Sequence, residues 1–434
     1  MKEKNIRELA RRMELVTPET MRKYSITQLV LMIANKVNEL IGEVGRFESD
    51  VVGVVKTQNE NIKYLLDKGL HLEVANVFDG WVKDGTFDTL INQTALKKVN
   101  DRIDETNVQL SFVVQDIYSK LHSSDMFLPQ KRGVDMQMGG FFTNDMIKST
   151  LLKLKELNIT DICICPYLEL ESPTSSNISR ISSLSDIREI LSFAKDNGIK
   201  INHVKLHFTS PSSVNPSNEE LFLTNYQSIL LETLELCLEF GVEYYGVANE
   251  LAKVTSKNVD MWSVIISKLK SKGVKVFTSC TYEEKDTSLI LGLVDVIGIN
   301  FYPSLSNKGG NATIEECQKM LYGNRYIQSL KEIKEKYNKP LWLTELGCVR
   351  SSKALSQPSN SSLEVDSEGD RVQGVFFNST LPIIGGSYHK NKPLIDGVFI
   401  WCCSNINPPD KFNFINNPYA EPVVLKYYQM KGVE

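Results

Sequence analysis

The sequence predicts an α/β protein, a (β/α)8 (TIM) barrel preceded by an α-helical coiled-coil stalk. Two observations support this fold class. The part before about Gly133 shows helical periodicity and little strand-like sequence, whereas strands and helices alternate from there onward. At 434 residues, the chain is also longer than one usual domain. We therefore expect a helical region over 1–130 and a barrel over 131–434, with the boundary within 125–132.

The N-terminal region carries a heptad repeat. Its seam residues recur at alternating spacings of four and three, which is the pattern of a left-handed coiled coil. This pattern favours self-association over packing within one chain, and we expect a homotrimer. The seam positions are Ile26, Val30, Ile33, Val37, Leu40, Val44, Phe47, Val51, Val54, Gln58, Asn61 and Leu65. A shorter repeat follows at Val99, Ile103, Thr106, Leu110, Val113 and Ile117.

A segment with two Asp-Gly pairs, which predict turns, leads into the second repeat. It covers residues 78–105 and reads FDGWVKDGTFDTLINQTALKKVNDRIDE. This segment resembles the attachment regions of tail-fibre, tailspike and baseplate proteins from phages of Gram-positive bacteria. The resemblance implies a virion protein, joined to other tail or baseplate proteins. Residues 1–5 are polar and do not begin a signal peptide, as expected for a protein made in the host cytoplasm.

From Gly133 onward, short β-rich apolar runs alternate with helical patterns. Eight alternations in about 300 residues favour a closed parallel barrel over an open doubly wound sheet. No Gly-rich phosphate loop follows the first run, which argues against a dinucleotide fold. The predicted strands are 133–138, 161–166, 200–208, 244–249, 275–280, 296–301, 341–344 and 397–402. The predicted helices include 184–197, 219–240, 259–272 and 326–337.

The composition argues against several functional classes. The formal net charge is −4 at pH 7, which does not provide the basic surface of a nucleic-acid-binding protein. No apolar run reaches the roughly 18 to 20 residues of a membrane span. The eight cysteines lack the spacing of metal ligands, and we expect buried, reduced thiols. Neither a metal ion nor an organic cofactor is predicted.

In a parallel barrel, reactive groups collect at the C-terminal ends of the strands. Two glutamates hold that position, Glu250 after the fourth predicted strand and Glu345 after the seventh. A retaining glycosidase uses two carboxyl groups about 5 to 5.5 Å apart, one as acid/base and one as nucleophile. Residues at the ends of other strands, or beside Glu250, are candidates for sugar binding: Asn249, His207, Glu283, Tyr302 and Trp401.

These strand ends resemble those of the clan A glycoside hydrolases, the barrel enzymes that include β-mannanases, β-galactosidases and cellulases. The resemblance implies that Glu250 is the acid/base and that Glu345 is the nucleophile. By the same resemblance, Tyr302 bonds the nucleophile and Trp401 is the platform under the sugar. Asn249 precedes the acid/base and is expected to bond the 2-position substituent of the sugar.

The sequence departs from clan A at one position and carries an insertion at another. An arginine near the end of the second strand commonly braces the nucleophile, but residues 165–169 here read Cys-Pro-Tyr-Leu-Glu. A serine-rich insertion, 351–370, follows the nucleophile strand. We expect it to be either a substrate-shaping lid or a disordered excursion.

The sequence therefore predicts a phage tail protein whose barrel binds a host cell-wall or capsular glycan and hydrolyses it with retention. Two alternatives stay open: a non-catalytic receptor-binding protein for the same glycan, and a structural tail component with a relic barrel. Structural roles are also the alternative for single residues. The glutamates would then be solvated loop residues or cap partners, His207 a hydrogen-bonded core histidine, and Asp135 a structural carboxylate.

Overall fold

The computed structural model describes residues 128–389, 392–407 and 409–430. The predicted stalk, both heptad repeats and the attachment segment lie outside these residues. They therefore stay predictions, as does the domain boundary within 125–132.

Eight parallel strands form a closed barrel. The first strand pairs in parallel with both the second and the eighth, so that the sheet closes on itself. This closure confirms the predicted (β/α)8 fold. The strands are β1 (Lys131–Met138), β2 (Asp161–Leu170), β3 (Ile201–Lys205), β4 (Tyr244–Asn249), β5 (Lys275–Thr281), β6 (Val296–Phe301), β7 (Leu341–Leu346) and β8 (Gly397–Ile400).

Helices follow the strands, except that a single 3-10 turn, Glu284–Asp286, connects β5 to β6. The helices form where apolar residues recur at helical spacing, so that one face of the helix can pack on the barrel. In helix α2 the buried residues on this face are Ile187, Ile190, Leu191 and Ala194. A capping box at Ser183 starts it. The helices are α1 (Asn144–Glu156), α2 (Leu184–Asp196), α3 (Glu219–Leu238), α4 (Ala252–Thr255), α5 (Val259–Ser271), α6 (Ile314–Gly323), α7 (Tyr326–Tyr337), α8 (Gly369–Gly386) and α9 (Glu421–Gln429). The four predicted helices correspond to α2, α3, α5 and α7, with ends that agree within two residues.

The third predicted strand, 200–208, is two strands in the structure. The barrel strand β3 ends at Lys205, and a short strand, His207–Phe208, pairs separately with the end of β2. All five residues of β3 are buried. The interruption at Leu206 therefore separates a lysine within the barrel from a histidine at its mouth.

The barrel interior is mainly apolar and aromatic, as expected for parallel strands that are covered on both faces. All eight cysteines are buried and free, as predicted. Among the helices that the structure describes, none combines the length and apolar character needed to cross a membrane.

The insertion 351–370 folds into successive turns beside β7. The Leu305 N–H donates to the Leu355 carbonyl oxygen at 2.7 Å, and the Val349 N–H donates to the Pro358 carbonyl oxygen at 3.1 Å. Leu355 is fully buried. The insertion is therefore a packed loop against the segment after β6, and the alternative of a disordered excursion is wrong.

Candidate active site

Both predicted carboxylates lie at the C-terminal mouth of the barrel. Glu250 directly follows β4, and Glu345 is the penultimate residue of β7. Glu250 has a φ of 54°, a left-handed backbone conformation that residues with a side chain rarely adopt. Its N–H donates to the Ser279 carbonyl oxygen of β5 at 2.7 Å, which fixes this turn. Backbone strain of this kind is concentrated at functional sites.

Glu345 is only 3% exposed, and both of its carboxylate oxygens accept a hydrogen bond. The Lys205 ammonium donates to Oε1 at 2.7 Å, and the Tyr302 hydroxyl donates to Oε2 at 2.8 Å. Burial, with the charge of Glu345, raises the pKa of Tyr302 well above its usual range, so the phenol keeps its proton. Two donors hold the carboxylate in one orientation, as attack on a single carbon atom requires.

Glu250 lies in a different environment. Burial raises its pKa from 4.5 to about 7, and the charge of Glu345 acts in the same direction. The Asn300 amide donates to Glu250 Oε1 at 2.8 Å and opposes this rise. A carboxyl group with a pKa near 7 still carries a proton in much of the population at neutral pH, which a general acid requires.

Asn249 is buried beside Glu250 and forms a hydrogen bond through its amide oxygen. Asn249 Oδ1 accepts a hydrogen bond from Asn300 Nδ2 at 3.2 Å, and Thr344 Oγ1 donates to Asn300 Oδ1 at 2.9 Å. In this arrangement, the amide oxygen of Asn249 and the amide nitrogen of Asn300 face each other. Within the described part of the chain, Asn249 Nδ2 has no hydrogen-bond partner. A buried donor without a partner is costly, so this group is suited to a hydroxyl of a bound sugar.

Three aromatic rings stack at the mouth of the barrel. His207 lies between Tyr167, at 4.9 Å between ring centroids, and Trp401, at 5.5 Å. His207 Nδ1 lies 2.6 Å from the Phe208 carbonyl oxygen, so Nδ1 carries the proton of the neutral ring. Burial lowers the pKa of His207, which leaves Nε2 as an acceptor. Trp401 is 8% exposed, so a sugar has access to only a small part of its ring.

Glu283 does not join this cluster. It is exposed after β5, and no described contact connects it to either carboxylate. The buried glutamate of this turn is its neighbour Glu284, which accepts a hydrogen bond from the Thr281 N–H at 3.2 Å. Burial raises the pKa of Glu284 to about 7, while bonds from the backbone of Thr281 and Ala252 oppose the rise. The subsite role of Glu283 stays a prediction, whereas Glu284 ties its turn to the chain just after Glu250.

Lys205 places a positive charge beside Glu345, where clan A enzymes commonly use an arginine from the second strand. The sequence analysis did not predict this role for Lys205. Its Nζ lies 2.7 Å from Glu345 Oε1 and 2.7 Å from Asp135 Oδ2, and it donates to the Thr344 carbonyl oxygen at 3.2 Å. The side chains of Lys205 and Asp135 are each 1% exposed. The sequence feature that could have indicated this role is a lysine within a short, apolar predicted strand. A lysine buried in such a strand requires a negatively charged partner.

Asp135, Cys163 and Cys165 offer donor atoms that lie within 4.8 Å of one another. Asp135 already faces the Lys205 ammonium. Burial raises the pKa of both thiols, so they stay protonated. A divalent cation would have to displace the ammonium and bind thiolates, so these residues do not suit a metal ion.

Comparison with known proteins identifies the family of this barrel. Residues 134–405, more than half of the chain, match Glycoside Hydrolase Family 113. The chain belongs to this family. As a member of Glycoside Hydrolase Family 113, it is a glycoside hydrolase, and the resemblance of its barrel to clan A is confirmed.

Solved structures of Family 113 share the fold. The β-mannanase from Alicyclobacillus acidocaldarius in complex with ManMIm is 15% identical, with a TM-score of 0.58, over 70% of this chain and 99% of that chain. A β-1,4-mannanase is 15% identical, with a TM-score of 0.57, over 70% of this chain and 100% of that chain. A complex structure of a β-1,4-mannanase gives 15% identity and a TM-score of 0.56, over 71% and 100%. The comparison with curated protein sequences gives no match.

Proposed function

We propose that the barrel hydrolyses a β-linked glycan with retention of anomeric configuration, using Glu250 as acid/base and Glu345 as nucleophile. One observation carries this proposal: the two carboxyl groups at one barrel mouth stand in opposite environments. Glu345 is held by two donors, whereas burial raises the pKa of Glu250 to about 7. Such a division between an acid and a nucleophile is what double displacement requires.

In the first step, a Glu345 oxygen attacks the anomeric carbon while the glycosidic C–O bond breaks. Glu250 gives its proton to the departing oxygen, so the leaving group departs as a neutral alcohol. Glu345 then carries the sugar as an ester and has lost its charge. Because that charge helped to raise the pKa of Glu250, the pKa of Glu250 falls and the residue is suited to act as a base.

In the second step, water attacks the anomeric carbon and the ester bond to Glu345 breaks. Glu250 takes a proton from this water, which restores the starting protonation of both carboxyl groups. Asn249 Nδ2 is the donor for the sugar 2-position, and His207 Nε2 is an acceptor for a further hydroxyl. Trp401 supplies the accessible part of its ring as an apolar contact.

A β-mannoside is the first substrate to test. The three Family 113 structures named above are β-mannanases by name, and this supports β-1,4-linked mannose as the starting hypothesis. We expect the loops 168–183, 209–218, 304–323 and 351–370 to determine which sugar and linkage are accepted.

We further propose that the N-terminal region mounts the barrel on a phage tail, where it acts on a host cell-wall or capsular glycan. The support is the sequence alone, namely the heptad repeat and the resemblance of residues 78–105 to tail attachment regions. A trimeric stalk would bring three barrels to one surface and strengthen weak sugar binding by multivalency. Other tail or baseplate proteins are then the partners, and the virion is the location.

Hydrolysis of defined glycosides tests the proposal. The full-length chain is incubated with β-1,4-mannan, with the 2,4-dinitrophenyl β-glycosides of mannose, glucose and galactose, and with purified envelopes of Gram-positive bacteria. We expect product release by the wild type and by Glu156→Gln, which changes an exposed glutamate of α1, and none by Glu345→Gln. Envelope binding by the wild type without any release would contradict the proposal and favour a receptor-binding protein.

A further inference from the structure

Asp135, Lys205 and Glu345 form a buried cluster in which one ammonium lies between two carboxylates. Lys205 Nζ is 2.7 Å from an oxygen of each carboxylate. The three side chains are between 1% and 4% exposed. Within the described residues, neither Asp135 nor Glu345 has another ion pair.

The charge of this cluster changes during a double displacement. In the free enzyme, Lys205 faces two carboxylates. In the glycosyl-enzyme, Glu345 is a neutral ester, and Asp135 is the remaining counter-charge. A buried ammonium without a counter-charge is strongly unfavourable, so the intermediate needs this second carboxylate more than the free enzyme does.

Among the residues that the structure describes, the other groups that contact the Lys205 ammonium are uncharged. They are the Thr344 carbonyl oxygen at 3.2 Å and the Trp401 ring, with its centroid 5.4 Å from Nζ. Burial lowers the pKa of Lys205, but the attraction of Asp135 and then of Glu345 outweighs burial and raises the pKa well above its usual value. Lys205 therefore stays an ammonium and needs a negative partner throughout the reaction.

We propose that Asp135 is a positioning residue that acts through Lys205, keeping the ammonium paired while Glu345 carries the sugar and so favouring formation of the glycosyl-enzyme. This inference rests on the proposed retaining mechanism. It assigns a kinetic role to a buried carboxylate whose ion-pair partner is Lys205.

Asp135→Asn tests the inference because it removes the second counter-charge and keeps the shape of the side chain. The substrate is the 2,4-dinitrophenyl glycoside that the wild type turns over fastest, since this leaving group needs no proton from Glu250. The assay is run at pH 8, because burial raises the pKa of Asp135 to about 7 and the group must be ionised. Stopped flow measures the burst of dinitrophenolate, and rapid-quench mass spectrometry measures the glycosyl-enzyme.

In Asp135→Asn, Glu345 is the remaining partner of the Lys205 ammonium. This ion pair stabilises the free enzyme, in which Glu345 is charged, but not the glycosyl-enzyme, in which Glu345 is a neutral ester. We expect kcat/KM, which reports glycosylation, to fall at least about tenfold. The glycosyl-enzyme and the burst should decrease, while kcat falls less than kcat/KM. Asp161→Asn is the matched control, because Asp161 also faces a lysine, Lys131 at 3.4 Å, but lies at the start of β2.

Equal losses in kcat and kcat/KM with an undiminished burst would overturn the inference and leave the proposed function intact. If Asp135→Asn does not fold, Asp135→Glu is the conservative variant, because it keeps a second negative charge for Lys205 and leaves Lys205 and Glu345 in place. The burst should be retained in Asp135→Glu, and its loss in a folded Asp135→Glu variant would equally overturn the inference. A wild type without turnover or trapped intermediate would refute the proposed function and the inference with it.

Discussion

Removing the Tyr302 hydroxyl tests how strongly the geometry around Glu345 determines the rate. In Tyr302→Phe, Glu345 Oε2 loses its donor at 2.8 Å, and Lys205 remains on the other oxygen. A hydrogen bond to a charged group contributes about 1.5 to 3 kcal/mol. If this contribution is lost from the transition state, kcat/KM should fall about 10- to 150-fold.

The assay is the initial rate with the 2,4-dinitrophenyl glycoside that the wild type turns over fastest, and thermal unfolding checks that the variant is folded. Tyr226→Phe is the matched control, because Tyr226 is fully buried and its hydroxyl has no hydrogen-bond partner among the described residues. We expect this control to keep the wild-type rate. An unchanged rate in Tyr302→Phe, or an equal loss in Tyr226→Phe, would refute the reasoning.

Three further predictions follow from the same contacts. The proposed role of Glu250 as general acid requires its protonated form, and burial raises its pKa to about 7. The value of kcat/KM for glycosides with poor leaving groups should therefore decline above about pH 7, and a flat profile to pH 9 would contradict this role. Lys205→Met leaves two buried carboxylates without their cation and should lower the free energy of unfolding by about 3 to 5 kcal/mol in denaturant titrations. An unchanged denaturation midpoint would show that Lys205 does not pair with these carboxylates. Asn249→Ala should lower kcat/KM about tenfold or more for a glycoside that carries the 2-hydroxyl, but not for the 2-deoxy analogue of that glycoside. Equal losses on both substrates would argue against a contact between Asn249 and the 2-position of the sugar.

The placement of the carboxylates was predictable because a parallel barrel brings the C-terminal ends of all its strands to one face. Glu250 and Glu345 each follow a short apolar run, and such runs are identifiable from the sequence. The same rule placed Asn249 and Tyr302 at that face. The ends of the strands were less predictable. The sequence predicted one strand over 200–208, but the structure has two strands there, separated at Leu206.

The buried charges below the mouth were not predictable in the same way. The sequence shows Asp135 on the first strand and Lys205 on the third, but neither the register nor the inward direction of each side chain can be read from it. The structure brings Lys205 within 2.7 Å of both Asp135 and Glu345. It thereby provides a cation near Glu345, the proposed nucleophile, although the second strand lacks the arginine that clan A commonly uses.

Trapping the glycosyl-enzyme tests the proposed mechanism most directly. The wild type is incubated with 2-deoxy-2-fluoro-β-mannosyl fluoride, and the modified protein is digested and mapped by mass spectrometry. The mechanism predicts one added sugar per chain, esterified on Glu345, and no adduct in Glu345→Gln. A sugar on any other residue, or hydrolysis of this fluoride without an adduct, would contradict it.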